Sequence, residues 1–202
     1  MIAILLGARR GEIIGLRWSA AEFFEDGSGR LHIQQQVRMV RGKPEVAKTK
    51  TRKSTRTIPL PPYVVEVLQE HRQRQLRQAE LFNWEVTEDT WLFTTDEGQC
   101  VRPDTVYHHF KALIRKLGLS DIRFHDLRHV SASLLDDSGA SSKAKADILG
   151  HTTTRMSDET YTHTSDEARR RALERAAEAF RGGAEESLGG SFGGNSENGP
   201  SA

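Results

Sequence analysis

Apolar positions change their spacing several times along this chain, and each change marks a predicted element. The opening MIAILLGA has helical spacing and breaks at Gly7, as expected for the end of a helix in a chain that is a piece of a longer protein. Residues 12–18, EIIGLRW, continue as helix or turn. From Gly29 the spacing becomes alternating and β-branched. GRLHIQQQVRMV, then RGKPE, then VAKTKTRKSTRTIPL predict a hairpin or small sheet around a Gly/Pro turn. Helical spacing returns after Pro61-Pro62 and runs to about Ala79, and again from Pro103 to about Leu117, stopped by Gly118. FHDLRHVSASLLDDSG predicts a helix closed by Gly139, and SSKAKADILG a serine-capped helix closed by Gly150. SDETYTHTSDEARRRALERAAEAF supplies one or two more. The fold class predicted is α+β, mostly α-helical, with a small antiparallel sheet or hairpin.

Composition adds limits. With 202 residues, 36% hydrophobic and 28% charged, the chain can bury one core, predicted over residues 1–181. Residues 182–202 hold seven glycines and no Lys or Arg, which predicts a disordered tail. No apolar run approaches the roughly 18 residues of a membrane span. The first arginines follow the opening apolar stretch, the reverse of a secretion signal. Cys100 is the single cysteine, so no disulfide framework or thiolate cluster is available. A cytoplasmic location, with no membrane partner, follows as an expectation.

The net charge of +1 conceals a local imbalance. Between Arg30 and Arg56 nine basic residues face one acid, Glu45. Such a stretch can track a phosphate backbone or form the solvated face of a hairpin. Its candidate DNA contacts are Arg41, Lys43, Lys48, Arg52, Lys53 and Arg56.

Three polar clusters have no hydrophobic reason to exist. Arg9 and Glu12 lie three residues apart, and Gly7 and Gly11 leave room around the arginine. His125, Arg128 and His129 share one side of a predicted helix. That histidine spacing occurs in zinc hydrolases, but Asp126 stands where such a site needs glutamate, and no metal is assigned. His151 follows Gly150, with Tyr161 ten residues beyond it, in polar sequence. Together the set can cleave a phosphodiester without metal. Arginines hold the non-bridging oxygens, tyrosine supplies a nucleophilic oxygen, lysine protonates the leaving alkoxide, and histidines bind phosphate or relay protons.

GARRGEIIGLRW, HDLRH and LGHTTTRMSDETYTH, in this order and spacing, resemble the motifs of the C-terminal catalytic domain of the tyrosine recombinases, the phage-integrase family. The resemblance implies that Arg9 and Arg128 clamp the scissile phosphate and that Glu12 supports Arg9. It also implies that His125 assists proton transfer or phosphate positioning, that His151 fills the family's His/Trp position, and that Tyr161 is the nucleophile. Lys50 best fits the family's hairpin lysine, with Lys48 the other candidate. The reaction implied is transesterification on double-stranded DNA through a 3′-phosphotyrosyl bond, in site-specific recombination, with no nucleotide cofactor or obligatory metal. The full-length protein is expected to act as a tetramer on paired sites, and this domain alone as a monomer, in a bacterial or phage-derived setting associated with the nucleoid. The family's N-terminal DNA-binding domains do not fit before Arg9. Two other readings stand beside it: a type IB topoisomerase-like strand-passage enzyme, and a non-catalytic DNA-binding relic.

Overall fold

The computed structural model describes residues 2–48, 55–150 and 166–189. Helix α1 (Ile2–Leu5) buries Ile2 and Leu5, and after Gly7 the short α2 (Arg10–Ile14) buries Ile13 and Ile14. A 3-10 turn, Trp18–Ala20, leads to strand β1 (Ala21–Phe23). β2 (Gly29–Ile33) pairs antiparallel with β1 on one side and with β5 (Arg56–Leu60) on the other. Alternation decides which face is inside: Leu31 and Ile33 of β2, opposite Ile58 and Arg56 of β5, face the core together with Leu60. Arg56 is therefore on the apolar face by register.

The 29–40 stretch, predicted as one alternating segment, is divided at Gln34 between two sheets. β3 (Gln35–Val40) pairs with β4 (Lys43–Lys48) in a separate two-stranded ribbon. Its turn consists of Arg41 and Gly42, both at positive φ (49° and 77°). This is the backbone sense that matches a two-residue hairpin to the strand twist. β3 passes over α2 so closely that a Cβ on Gly11 would lie 2.7 Å from the Val37 carbonyl oxygen, and the ribbon is thereby seated on the element that carries Arg9 and Glu12.

α3 (Pro62–Leu81) and α4 (Pro103–Lys116) both begin with proline at the first helical position, where no N–H is needed. Val64, Val65 and Leu68 of α3 close one side of the core, and buried Gln75 accepts from Trp18 Nε1 at 2.6 Å. α5 (Leu127–Asp137) is preceded by a 3-10 turn, Phe124–Asp126, where the sequence predicted continuous helix. α6 (Ser142–Leu149) is capped as expected: Ser141 Oγ accepts from Ala144 N–H at 3.1 Å, and Gly150 closes the helix at φ 68°, ψ 47°. α7 (Asp166–Gly189) packs Ala172, Leu173, Ala176 and Ala177 into the same core as Leu135, Ile148, Leu149 and the sheet. α7 also corrects the predicted tail. Helix continues through 182–189, where Ala184, Glu185, Glu186 and Leu188 are strong helix formers that offset Gly182 and Gly183. Residues 190–202 lie outside the described residues. No helix among the described residues is long and apolar enough to cross a membrane.

Candidate active site

The clusters at the two ends of the sequence meet around the end of α6. Arg9 occupies the residue before α2 in extended conformation, and Glu12, in the first turn, folds back on it. One Glu12 carboxylate oxygen accepts the Arg9 backbone N–H at 2.9 Å, and the other accepts from Arg9 Nη1 at 2.8 Å. The Glu12 side chain is only 2% exposed, whereas that of Arg9 is 40% exposed. A buried carboxylate thus fixes one edge of a guanidinium whose remainder is open to solvent and to a ligand.

Glu12 has a second partner. Arg56 Nη2 donates to Glu12 Oε2 at 3.0 Å, and Arg56 Nε donates to the Ile148 carbonyl at 2.8 Å. Burial alone would raise the Glu12 pKa. The hydrogen bond and charge of Arg56, followed by the bonds from Arg9, outweigh it and hold the carboxyl below its ordinary value, so Glu12 is an anion at neutral pH.

Arg128, in the first turn of α5, is buried as well. Nη1 donates to the Gly7 carbonyl at 2.6 Å, and Nη2 donates to the Leu149 carbonyl. Burial first, then the charges of Arg9 and Arg56, outweigh Glu12 and lower the Arg128 pKa to about 10, still cationic at neutral pH. The last carbonyls of α6, unpaired within any helix and at its negative end, therefore receive two guanidiniums from two other elements. Gly150 follows directly. Its positive φ and the Arg56 guanidinium, whose Nη1 would lie 2.9 Å from an added Cβ, leave no room for a side chain. This accounts for the glycine of the Leu-Gly-His segment.

His125 lies in the 3-10 turn, exposed beside exposed His129, with ring centroids 6.0 Å apart. The predicted common side is thus shared by the two histidines, while Arg128 turns inward to Gly7 and Leu149. Solvent reaches much of His125. Partial burial, then Arg128, His129 and Arg9, nevertheless outweigh Asp126 and lower its pKa, which favours a neutral imidazole able to accept a proton. Asp126 itself is engaged by Arg123, at 2.8 Å from its backbone N–H and 2.9 Å from Nη2. Among the described residues no group of three or more His, Cys, Asp or Glu side chains could hold a metal ion.

Arg41 and Lys43 are exposed at the tip of the ribbon, which Arg102, the residue before α4, secures by donating to the Gly42 carbonyl at 3.2 Å. Lys48 ends β4. Lys50, Arg52, Lys53, His151 and Tyr161 lie outside the described residues.

Arg56 requires a correction. Predicted as a DNA contact in the basic stretch, its side chain is 5% exposed and is committed to Glu12 and Ile148. A charge count cannot reveal this. The alternation of Arg56, Ile58 and Leu60 could have, since it puts all three on one face.

The family model described as the phage integrase family matches residues 1–168. A XerC-like tyrosine recombinase of Caldanaerobacter subterraneus subsp. tengcongensis is 27% identical over 193 residues, covering 89% of this chain and 48% of that protein. The integrase of Mycobacterium phage D29 is 33% identical over 149 residues, covering 73% of this chain and 38% of that protein. The chain therefore spans half or less of the length of these relatives. Among solved structures, the Tn1549 transposon integrase in complex with transposon right end DNA has a TM-score of 0.61 at 23% identity, over 87% of this chain and 57% of that one. The XerA recombinase has a TM-score of 0.53 at 17% identity, over 92% and 55%. These structural likenesses establish the fold, and with a family match running from the first residue through both arginine motifs to the start of α7, the chain belongs to the phage integrase family.

Proposed function

We propose that this chain is the catalytic domain of a site-specific DNA recombinase that breaks and rejoins double-stranded DNA through a 3′-phosphotyrosyl intermediate. The observation that carries the reading is the convergence of Arg9 and Arg128, distant in sequence, around one buried carboxylate and the end of α6, immediately before His151. Two preorganised guanidiniums suit the non-bridging oxygens of a phosphate, whose charge grows in the pentacoordinate transition state. Tyr161 attacks the phosphorus, the bond to the 5′ oxygen breaks, and Lys50 protonates that oxygen as it leaves. His125 takes the tyrosine proton, and His151 hydrogen-bonds the phosphate. A 5′-hydroxyl then attacks the phosphotyrosine and restores the phosphodiester, so the bond energy is conserved.

This reading takes residues 1–181 as the catalytic domain and Arg41, Lys43, Lys48, Arg52 and Lys53 as backbone contacts. It takes the full-length protein as a tetramer on paired sites, associated with the nucleoid. The test is incubation with a duplex nicked so that the cleaved fragment diffuses away. The expected result is a covalent protein–DNA adduct that Tyr161→Phe abolishes while DNA binding stays nearly intact. An adduct of normal yield from Tyr161→Phe would remove Tyr161 from the role.

A further inference from the structure

Arg56 opens the Arg-Thr-Ile-Pro-Leu run that follows Lys50 in the family's hairpin pattern, and in the fold it lies in the buried cluster. Its Nε and Nη2 reach two acceptors on two elements, the Ile148 carbonyl at 2.8 Å and Glu12 Oε2 at 3.0 Å, while the residue itself opens β5 opposite Ile33. In sequence it stands six residues after Lys50, and the carbonyl it holds is three residues before His151. We propose that Arg56 is a positioning residue of the cleavage site, tying β5, the Glu12 that orients Arg9, and the end of α6 to one another.

Fold stability alone is a weak reason for such a residue. A buried ion pair costs so much desolvation that apolar replacements of similar volume often leave stability unchanged or improve it. Among the described residues Arg9, Arg56 and Arg128 lie around the carboxylate of Glu12. The geometry gives Arg56 an indirect place in the site. Its side chain is 5% exposed, with Nε on the Ile148 carbonyl and Nη2 on Glu12. It acts through Glu12, which holds Arg9, and through the Ile148 carbonyl, which fixes where the chain leaves α6 at Gly150. Lysine is a poor substitute, offering one nitrogen where arginine presents two along one edge.

This inference rests on the recombinase reading, and the experiment separates the two. Single-turnover cleavage of the nicked duplex is measured for the chain, Arg56→Met, Arg56→Lys and the pair Arg56→Met with Glu12→Gln. Each is used at saturating concentration and well below its own melting temperature, with DNA affinity against salt measured in parallel. Arg56→Met should cleave on the order of 10²-fold more slowly, the scale of a misplaced reacting group, with affinity and salt slope unchanged. Arg56→Lys should recover part of the rate. The double variant, which removes both charges of the buried pair, should regain melting temperature but not rate, and it carries the test if Arg56→Met does not fold.

The pH profile adds a readout that a purely structural role would not move. In Arg56→Met the charges left facing Glu12 among the described residues are Arg9 beside α2 and Arg128 from α5, burial gains weight, and the rate should acquire a decline toward acid pH absent from the parent. Full cleavage by folded Arg56→Met would overturn the inference. So would recovery of both rate and melting temperature in the double variant, or a weakened affinity with a shallower salt slope, which would make Arg56 a phosphate ligand. No adduct from the parent chain would sink the recombinase reading, and this inference with it.

Discussion

Arg41 and Arg56 stand in the same basic stretch, yet they are opposite kinds of residue. Arg41 occupies a two-residue turn at φ 49°, exposed, with no carboxylate beside it in the turn. Arg56 is in the core, on the same sheet face as Ile58 and Leu60, bonded to a carboxylate and a carbonyl. The exposed cation is screened by salt and free to meet a phosphate, and the buried one is neither. Charge along a strand acquires meaning only with register. In the proposed function the ribbon supplies attraction to DNA, while the cluster around Glu12 supplies geometry for the chemistry.

The largest effects should come from the cluster. Arg9→Ala and Arg128→Ala are each expected to slow single-turnover cleavage by at least ~10²-fold, the usual loss when one preorganised charge-stabilising donor is removed. Arg128→Ala should also lower the melting temperature, because it leaves the Gly7 and Leu149 carbonyls without their donor. Arg10→Ala is the control for register and should matter far less than Arg9→Ala. The reverse order would place the first arginine motif one residue off.

Lys50 lies on the stretch that joins the two regions and tests where chemistry begins along it. Lys50→Ala should cripple cleavage of ordinary DNA while hardly changing the salt dependence of binding, as expected of a general acid. A substrate with sulfur in place of the bridging 5′ oxygen has a leaving group that needs little protonation and should restore the rate. An equally crippled variant on that substrate would move the role to Lys48.

Much of this was legible in sequence because the signals are local. Pro62, Pro103, Ser141 and Gly150 mark helix ends by their own backbone chemistry, and the structure keeps each of them. Arg9, Glu12 and Arg128 were legible as motif positions, and their convergence needed only the fold. What escaped was non-local or ambiguous. The 3-10 turn before α5 has the same three-residue spacing as a helix end, so periodicity does not separate His125 from Arg128. The split at Gln34 depends on which strand finds a partner in which sheet. The extension of α7 past Gly182 pits glycine against a following run of helix formers, and composition alone favoured the glycines. Arg56 stands among charged neighbours in the sequence, and only its alternation with Ile58 and Leu60 sets it apart from them.

For the ribbon the expected effects are smaller and purely electrostatic. Arg41→Ala and Lys43→Ala should each weaken DNA binding and make the slope of log K against log salt shallower by about 0.9 for each phosphate no longer neutralised. Arg56→Met should leave the slope alone. If all three variants changed the slope alike, the division between exposed and buried cations would be wrong.

Acid distinguishes the two regions from the other direction, with the smallest effect. Glu12 is held below its ordinary value of 4.5 in the folded chain, so just below that value the unfolded chain binds a proton more readily than the folded one. The stability contributed by the ionised Glu12 is therefore complete above about pH 4.5 and is lost as pH falls through the lowered folded value. Half-buried Asp126 and exposed Glu167 also lie below their ordinary values, through Arg123 in the one case and Arg171 and Arg170 in the other, but they act equally in any variant that keeps them. Comparing urea midpoints of the chain and Glu12→Gln therefore isolates the buried carboxylate. The gap between the two should be widest near neutrality and narrow as the solution is acidified through that window, whereas the gap between the chain and Arg41→Ala should not move. A Glu12→Gln gap that stayed constant with pH would mean that Glu12 and its two arginines are not coupled in the way the geometry indicates.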